Sequence, residues 1–373
     1  GNQDGNEKGD FYYAPPSGYL ALCTDNLSNP EIKLPGENFN TILWSGTGGN
    51  RAFTGVGFQP DFVWQKARDD TWNHALYDSV RGVDKAIISD SSSAELDQDA
   101  NGYLSSFDSD GFGTTAGSSN NNWWNDSTDT YVAWNWKAGT SFDPATAGTV
   151  ASGSGSANAT AGFSIVKYPG SASDVTVGHG LSQAPELILI KNIDAAVSWP
   201  VYAGPLGNGK RLELNDPYFE QATSHWVYTS PTASVFTLDG GVEGINKSGD
   251  DYIAYCWHSV DGYSKVGSFS GNGSTDGSFI FTGMKPSYLL IKRTDSGSFQ
   301  WYVWDDQRDA INPNNKVLFL SLNDAEDDST DYSIDFLSNG FKIRNASNLD
   351  NNSSGTYTYM AFAESPFKYS NAR

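Results

Sequence analysis

A chain of 373 residues has room for roughly two to four domains of ordinary size. Its net charge of −21 repels polyanionic duplexes and anionic membrane surfaces, which argues against nucleic-acid and membrane partners. No apolar run approaches the ~20 residues of a spanning helix, and the two cysteines exclude a disulfide-dense scaffold.

Only 38% of the residues are hydrophobic, and aromatics supply much of that share: 12 Trp, 19 Tyr and 20 Phe, beside 39 Gly. Aromatic residues with Gly, Ser, Asn and Thr are what short strands and tight turns need. No segment carries the sustained 3.6-residue periodicity of a long helix. The fold class read from this is all-β.

Residues 1–38 form an extended opening. Asp10 to Thr24 holds two short strand candidates around Pro15-Pro-Ser-Gly18, and Pro30 and Pro35 bracket a linker. The piece is too short to bury a core, so it packs on the next domain or completes one upstream. The polar start Gly1-Asn-Gln-Asp-Gly5 reads as the middle of a longer protein. Cys23 and Cys256 both lie in apolar strand contexts, which predicts two separate buried thiols.

One phrase then occurs three times: Gly55-Val-Gly-Phe-Gln-Pro-Asp-Phe-Val-Trp-Gln-Lys66, Gly178 to Lys191 around Pro185, and Gly283 to Lys292 around Pro286. Each is a turn followed by a Pro-led strand ending in Lys. Such recurrence marks repeats, and the strand reads as the central core strand of each. Repeat 1 covers residues 39–138, repeat 2 covers 163–262 and repeat 3 covers 263–373, with a Gly/Ser/Ala-rich linker at 139–162 that cannot support a core. In repeat 1, Phe39 to Trp44 opens, Leu76 to Gly82 brings Asp78 beside Arg81, Phe107 to Phe112 is a hairpin with an Asp-Gly turn, and Tyr131 to Trp136 closes. Trp199 to Tyr202 and Trp301 to Asp305 fill the middle of the later repeats, and Ala133, Ala254 and Ala361 recur in the closing strands. About 100 residues of short strands and Gly, Asn or Asp turns predict a β-sandwich. The architecture is therefore three tandem β-sandwich domains, jelly-roll or lectin-like.

Catalytic signatures are sparse. Gly-x-Ser-x-Gly echoes lie only in the linker, with no helix to follow. Gly204 to Arg211 lacks the hydroxyl of a phosphate loop. The four His have no metal-ligand spacing. Asp108-Ser-Asp110 and Asp324 to Asp328 offer hard oxygens but read as solvated loops. No cofactor, metal or catalytic residue is assigned. The oddest stretch is Gly117-Ser-Ser-Asn-Asn-Asn-Trp-Trp-Asn-Asp126. Either Trp123 or Trp124 faces solvent and binds sugar or a partner chain, or the loop folds back and both cover a sheet edge. Trp72, in Trp72-Asn-His74, is a further carbohydrate-binding candidate.

With these phrases in view, the chain resembles a repeat domain of structural proteins in tailed phages of marine bacteria and cyanobacteria. Gly55 to Trp64, Leu76 to Gly82, Ser106 to Phe112 and Tyr131 to Gly139 carry the resemblance, with Gly271 to Gly277, Asp335 to Phe341 and Ala361 to Phe367 in repeat 3. It covers about residues 39–373, and repeat 2 departs from it most. Residues 9–24 resemble the last strand of a SPRY-type sandwich. The resemblance implies a non-enzymatic virion component on the outer surface, a tail fibre or decoration protein. Its expected partners are other virion proteins or copies of itself, a trimer above all, and host-surface polysaccharide. A polysaccharide-degrading lectin-like enzyme and a subunit of an extracellular filament are the alternatives.

Overall fold

The computed structural model describes residues 1–120, 123–227, 229–347 and 349–370. It is almost entirely β. Each repeat is a sandwich built on one five-strand plan: opening, closing, signature, middle and flanking strands, in that spatial order. In repeat 1 these are Phe39–Ser45, Thr130–Trp136, Phe62–Ala67, Ala75–Asp78 and Gly82–Ile87. In repeat 2 they are Phe163–Pro169, Asp251–Trp257, Leu187–Asn192, Pro200–Ala203 and Lys210–Glu213. In repeat 3 they are Ser264–Ser270, Thr356–Pro366, Met284–Arg293, Trp301–Asp305 and Leu318–Phe319.

A smaller sheet covers one face of each large one. Phe53, Leu104 and Phe112 pack onto the large sheet in repeat 1, Val177, Phe236 and Leu238 in repeat 2, and Ile280, Phe336 and Phe341 in repeat 3. The hairpin predicted at Phe107 to Phe112 is part of such a sheet, joining Tyr103–Asp108 to Gly111–Thr115. The turn before each signature strand needs glycine. Gly55 and Gly57 have φ of 90° and 88°, and the Asp110 carboxylate accepts both their N–H groups, at 3.1 and 2.7 Å.

The other face of every large sheet is buried too. Phe62, Trp64, Trp134 and Trp136 of repeat 1 join Leu187, Leu189, Tyr255 and Trp257 of repeat 2 and Tyr288, Leu290, Met360 and Phe362 of repeat 3 in one cluster. The rings meet directly: Phe62 stacks on Tyr255 at 4.3 Å, Phe39 on Phe362 at 4.8 Å, and Trp136 meets Trp257 at 6.1 Å. The three sandwiches therefore surround a common core, which explains why Phe62–Ala67 and Leu187–Asn192 are buried at every position. A strand buried on both faces is the centre of its sheet, as the recurring phrase predicted.

Strand register makes the repeats comparable. Phe62, Leu187 and Tyr288 are equivalent, because they pair with Trp136 and Asp78, Trp257 and Ala203, and Phe362 and Asp305. From this follows a cyclic set of bonds. His74, Trp199 and Trp301 are equivalent, and each donates a ring N–H to the next repeat: His74 Nε2 to Phe319 O at 3.0 Å, Trp199 Nε1 to Ile88 O at 3.0 Å, Trp301 Nε1 to Glu213 O at 2.9 Å. The three acceptors are themselves equivalent. Repeat 1 thus bonds to repeat 3, repeat 2 to repeat 1 and repeat 3 to repeat 2, the pattern of a pseudo-threefold ring within one chain.

Four details differ from the sequence reading. The linker at 139–162 is structured: Thr140–Phe142 and Ser154–Asn158 extend the sheet of repeat 2. Its glycines serve packing, since a Cβ at Gly155 would lie 2.3 Å from the Phe142 ring. The two strands expected in residues 10–24 do not form, because nothing pairs with them beyond an isolated Asn2–Phe11 bridge. Ala133 and Ala254 are in register, but the residue matching them in repeat 3 is Tyr359, and Ala361 lies two positions on. Both thiols are free, as expected, although Cys23 is only half-buried while Cys256 is buried.

Candidate functional site

The ring has two ends with different chemistry. At the end where the signature strands finish, each carries the recurring lysine, and all three are fully buried. Lys191 Nζ donates to the carbonyls of Asn192, Val197 and Ala195 and, across the ring, of Ser92, at 2.8 to 3.2 Å. Lys292 Nζ donates to Pro217 O of repeat 2 at 2.6 Å and to Phe299 O. Lys66 Nζ donates to Ala67 O and Asp70 O at 2.5 and 2.8 Å. Each ammonium holds a loop at a repeat junction, a structural role for the invariant Lys of the phrase.

Desolvation pulls Lys191 and Lys66 down to about 8 and Lys292 to about 7, against about 10.4 in an unfolded chain. The unfolded state therefore binds more protons than the folded one above about pH 8. Stability is expected to rise as pH increases from 8 to 9, by roughly 1 kcal/mol per lysine. Lys191→Met should reduce that rise while lowering stability by about 2–4 kcal/mol, because buried carbonyls lose their donor. Chemical unfolding at pH 7, 8 and 9 measures both; a slope unchanged in the variant would contradict the assignment.

Among the described residues, the opposite end, where the signature strands begin, has a cleft at each repeat junction. Between repeats 1 and 2 lies one of ≈ 590 Å³ bordered by Gln59, Asp61, Ser79, Phe142 and Asp143. Between repeats 2 and 3 lies one of ≈ 430 Å³ bordered by Gln183, Asp261, Lys265, Phe281 and Gly283. Between repeats 3 and 1 lies one of ≈ 100 Å³ bordered by Thr41, Ser287, Asp306, Gln307 and Glu364. Two of them are related by the ring: Asp61 and Ser79 of the first are equivalent to Ser287 and Asp306 of the third, and the same backbone bond closes each pair, Ser79 N to Asp61 O at 2.8 Å and Asp306 N to Ser287 O at 2.9 Å.

The smallest cleft holds the most perturbed carboxyl on this end. Burial and the adjoining Glu364 carboxylate push Asp306 up to about 7, although Gln307 Nε2 donates to its Oδ1 at 3.0 Å. Lys285 is paired with Glu364. Asp306 and Glu364 lie in hydrogen-bond contact, closer than the ~5–9.5 Å that glycoside hydrolysis places between two carboxyl groups.

The tryptophans singled out in the sequence are not at these clefts. Trp123 and Trp124 are 7% and 1% exposed. Asn121 and Asn122 before them lie outside the described residues. Trp124 packs on Tyr77 at 5.3 Å and Phe112 at 5.6 Å, and its carbonyl accepts the Trp44 indole N–H at 2.9 Å. The loop folds back into the core of repeat 1, and neither ring offers a face for sugar. Trp72 is half-buried against the same core, its N–H donated to Asp129 Oδ2 at 3.1 Å. The two acidic loops lie at the surface, with Asp108, Asp110, Asp324 and Asp328 exposed, as expected of solvated loops. Asp110 caps the Gly55 turn, and Glu326 joins Arg68 and Arg308 at 2.9 and 3.1 Å. Asp84, Asp97 and Asp99 bring carboxylate oxygens within 4.8 Å of one another, with Asp97 and Asp99 exposed.

What sequence reasoning missed is the role of Gln59, Gln183 and Phe281. The available signal was the position of Gln before the Pro of the phrase, Gln59-Pro60 and Gln183-Ala-Pro185, which places an amide at each of two junctions. No curated protein and no solved structure matches the chain. Residues 34–366 match, as a single run through all three repeats, a family described as a domain of unknown function. The chain belongs to that family, DUF7483.

Proposed function

We propose that this chain is a non-enzymatic structural module on the exterior of a tailed-phage virion, in a tail fibre or surface decoration, that contacts host-surface glycans. The observation that carries this reading is the common core. Three sandwiches fused around it make one stiff body, suited to presenting surfaces outside a cell, where a protein must resist unfolding without repair. The junction clefts supply the contact surfaces, and the resemblance of the repeat phrases to phage structural proteins supplies the setting. The non-catalytic part rests on how the acids are used. Asp78, Asp305 and Glu326 are held in ion pairs with arginines, and Asp306 and Glu364 touch one another with a lysine beside them.

The test is incubation of the full chain with a panel of bacterial surface polysaccharides, reading binding by affinity electrophoresis and cleavage by released reducing ends. Saturable retardation with no new reducing ends is the expected result. Chain shortening would replace this reading with a polysaccharide-degrading enzyme. Failure to bind any member, with the chain assembling end to end through apolar contacts, would replace it with a filament subunit.

A further inference from the structure

The cleft between repeats 2 and 3 differs from the other two in carrying an exposed aromatic wall. The strand Phe279–Phe281 is the edge of its small sheet, pairing only with Gly340–Ile343. Alternation sends Ile280 into the core of repeat 3 and turns Phe279 and Phe281 to the same outer side. They are 47% and 62% exposed. Neither of these paired rings, two positions apart on one strand, joins the buried cluster of repeat 3.

Polar groups converge beside them. Gly283 has a φ of 77° and no side chain, and a Cβ there would lie 3.7 Å from Asp261 Oδ1 and 3.8 Å from the Phe281 ring. The carboxylate of repeat 2 and the ring of repeat 3 thus border one bare patch of backbone. Gln183 and Lys265 line the same cleft. Among the described residues, Asp261, Gln183 and Lys265 have no side-chain hydrogen bond or ion pair, so their bonding capacity is free. The volume of ≈ 430 Å³ falls within the usual range of small-molecule sites, about 300–1,000 Å³.

A pyranose presents an apolar C–H face and a rim of hydroxyls. An aromatic ring takes the face, a carboxylate accepts from two hydroxyls, and an amide both donates and accepts. We infer that Phe281, Asp261, Gln183 and the open backbone at Gly283 form a subsite for a neutral saccharide unit, with Phe279 extending the platform to a neighbouring unit of the polymer. Neutral rather than acidic sugar follows from charge: Asp261 and Glu31 both line the cleft against a single Lys265, on a chain of net charge −21. This inference rests on the glycan-binding reading above and assigns it a place and a ligand class.

The experiment titrates the full chain, with Phe281→Ala and Asp261→Asn variants, against neutral polysaccharides (a dextran, a mannan, a galactan) and against an acidic one (a polyuronate). Both residues are exposed, so both variants should melt like wild type. Wild type is expected to bind at least one neutral polymer, and each variant is expected to lose tenfold or more. Wild-type binding left intact in both variants would overturn the subsite while leaving the glycan reading standing. Binding confined to the polyuronate would overturn the ligand class. No binding to any polymer would overturn the subsite together with the reading it rests on.

Discussion

Arg81→Leu is expected to destabilise the folded chain by about 3–5 kcal/mol, because it strips the partner from a buried carboxylate. Arg81 Nε lies 2.6 Å from Asp78 Oδ2, and both side chains are within 1% of full burial. The Tyr255 hydroxyl of repeat 2 donates to the same oxygen at 2.7 Å. Repeat 3 repeats the device: Arg308 Nε sits 2.6 Å from Asp305 Oδ2, and Trp134 of repeat 1 donates its N–H to that oxygen at 3.0 Å. Register identifies the third copy. Ala203 stands where Asp78 and Asp305 stand, Leu206 where the arginines stand, and Met360 where Tyr255 and Trp134 stand. Leu206 packs against the common core to which Ala203 and Met360 belong.

The ring thus contains both versions of one junction, polar at two sites and apolar at the third. A well-packed apolar set often equals or exceeds a buried ion pair in stability. The triple change Asp78→Ala, Arg81→Leu, Tyr255→Met imports the apolar set, and it should cost less than Arg81→Leu alone despite altering three residues. Urea unfolding of the two variants decides it. A triple variant less stable than the single one would show that the junctions are not interchangeable.

Residues 39–138 produced alone are expected to remain unfolded or to aggregate. Isolation would expose Phe62, Trp64, Leu76, Val132, Trp134 and Trp136, each 2% exposed or less in the whole chain. At about 1.5–3 kcal/mol for each large apolar side chain, the loss is on the order of 10 kcal/mol, comparable to the entire stability of an ordinary domain. Circular dichroism and amide exchange of the fragment provide the check. A soluble fragment with native-like protected strands would show that the sandwich stands on its own inner core.

The same arithmetic explains what the sequence disclosed. Recurrence of Pro, a short apolar run and Lys was enough to place the centre of each sheet, and three-residue spacing was enough to pair Asp78 with Arg81. The common core was not legible. Phe62-Val-Trp-Gln-Lys-Ala67 reads as three apolar residues followed by a polar pair that should reach water, yet Gln65 and Lys66 are as buried as Phe62, the lysine because backbone carbonyls from its own loop receive it. The double Trp was misleading for the converse reason. Its neighbours are polar, but Asn125 turns that polarity inward, accepting from Thr47 N at 2.9 Å and donating to Gly49 O at 2.6 Å, and so carries both rings into the core. Phe279 and Phe281 gave no warning of exposure, since alternation fixes a common side for them without saying which side is covered.

Calorimetry of the intact chain tests the common core most directly. One core predicts one cooperative unit, hence a single transition whose calorimetric enthalpy equals its van't Hoff enthalpy. Two or three resolvable transitions, or a calorimetric enthalpy two to three times the van't Hoff value, would mean that the repeats fold independently and that the ring is a contact between finished domains.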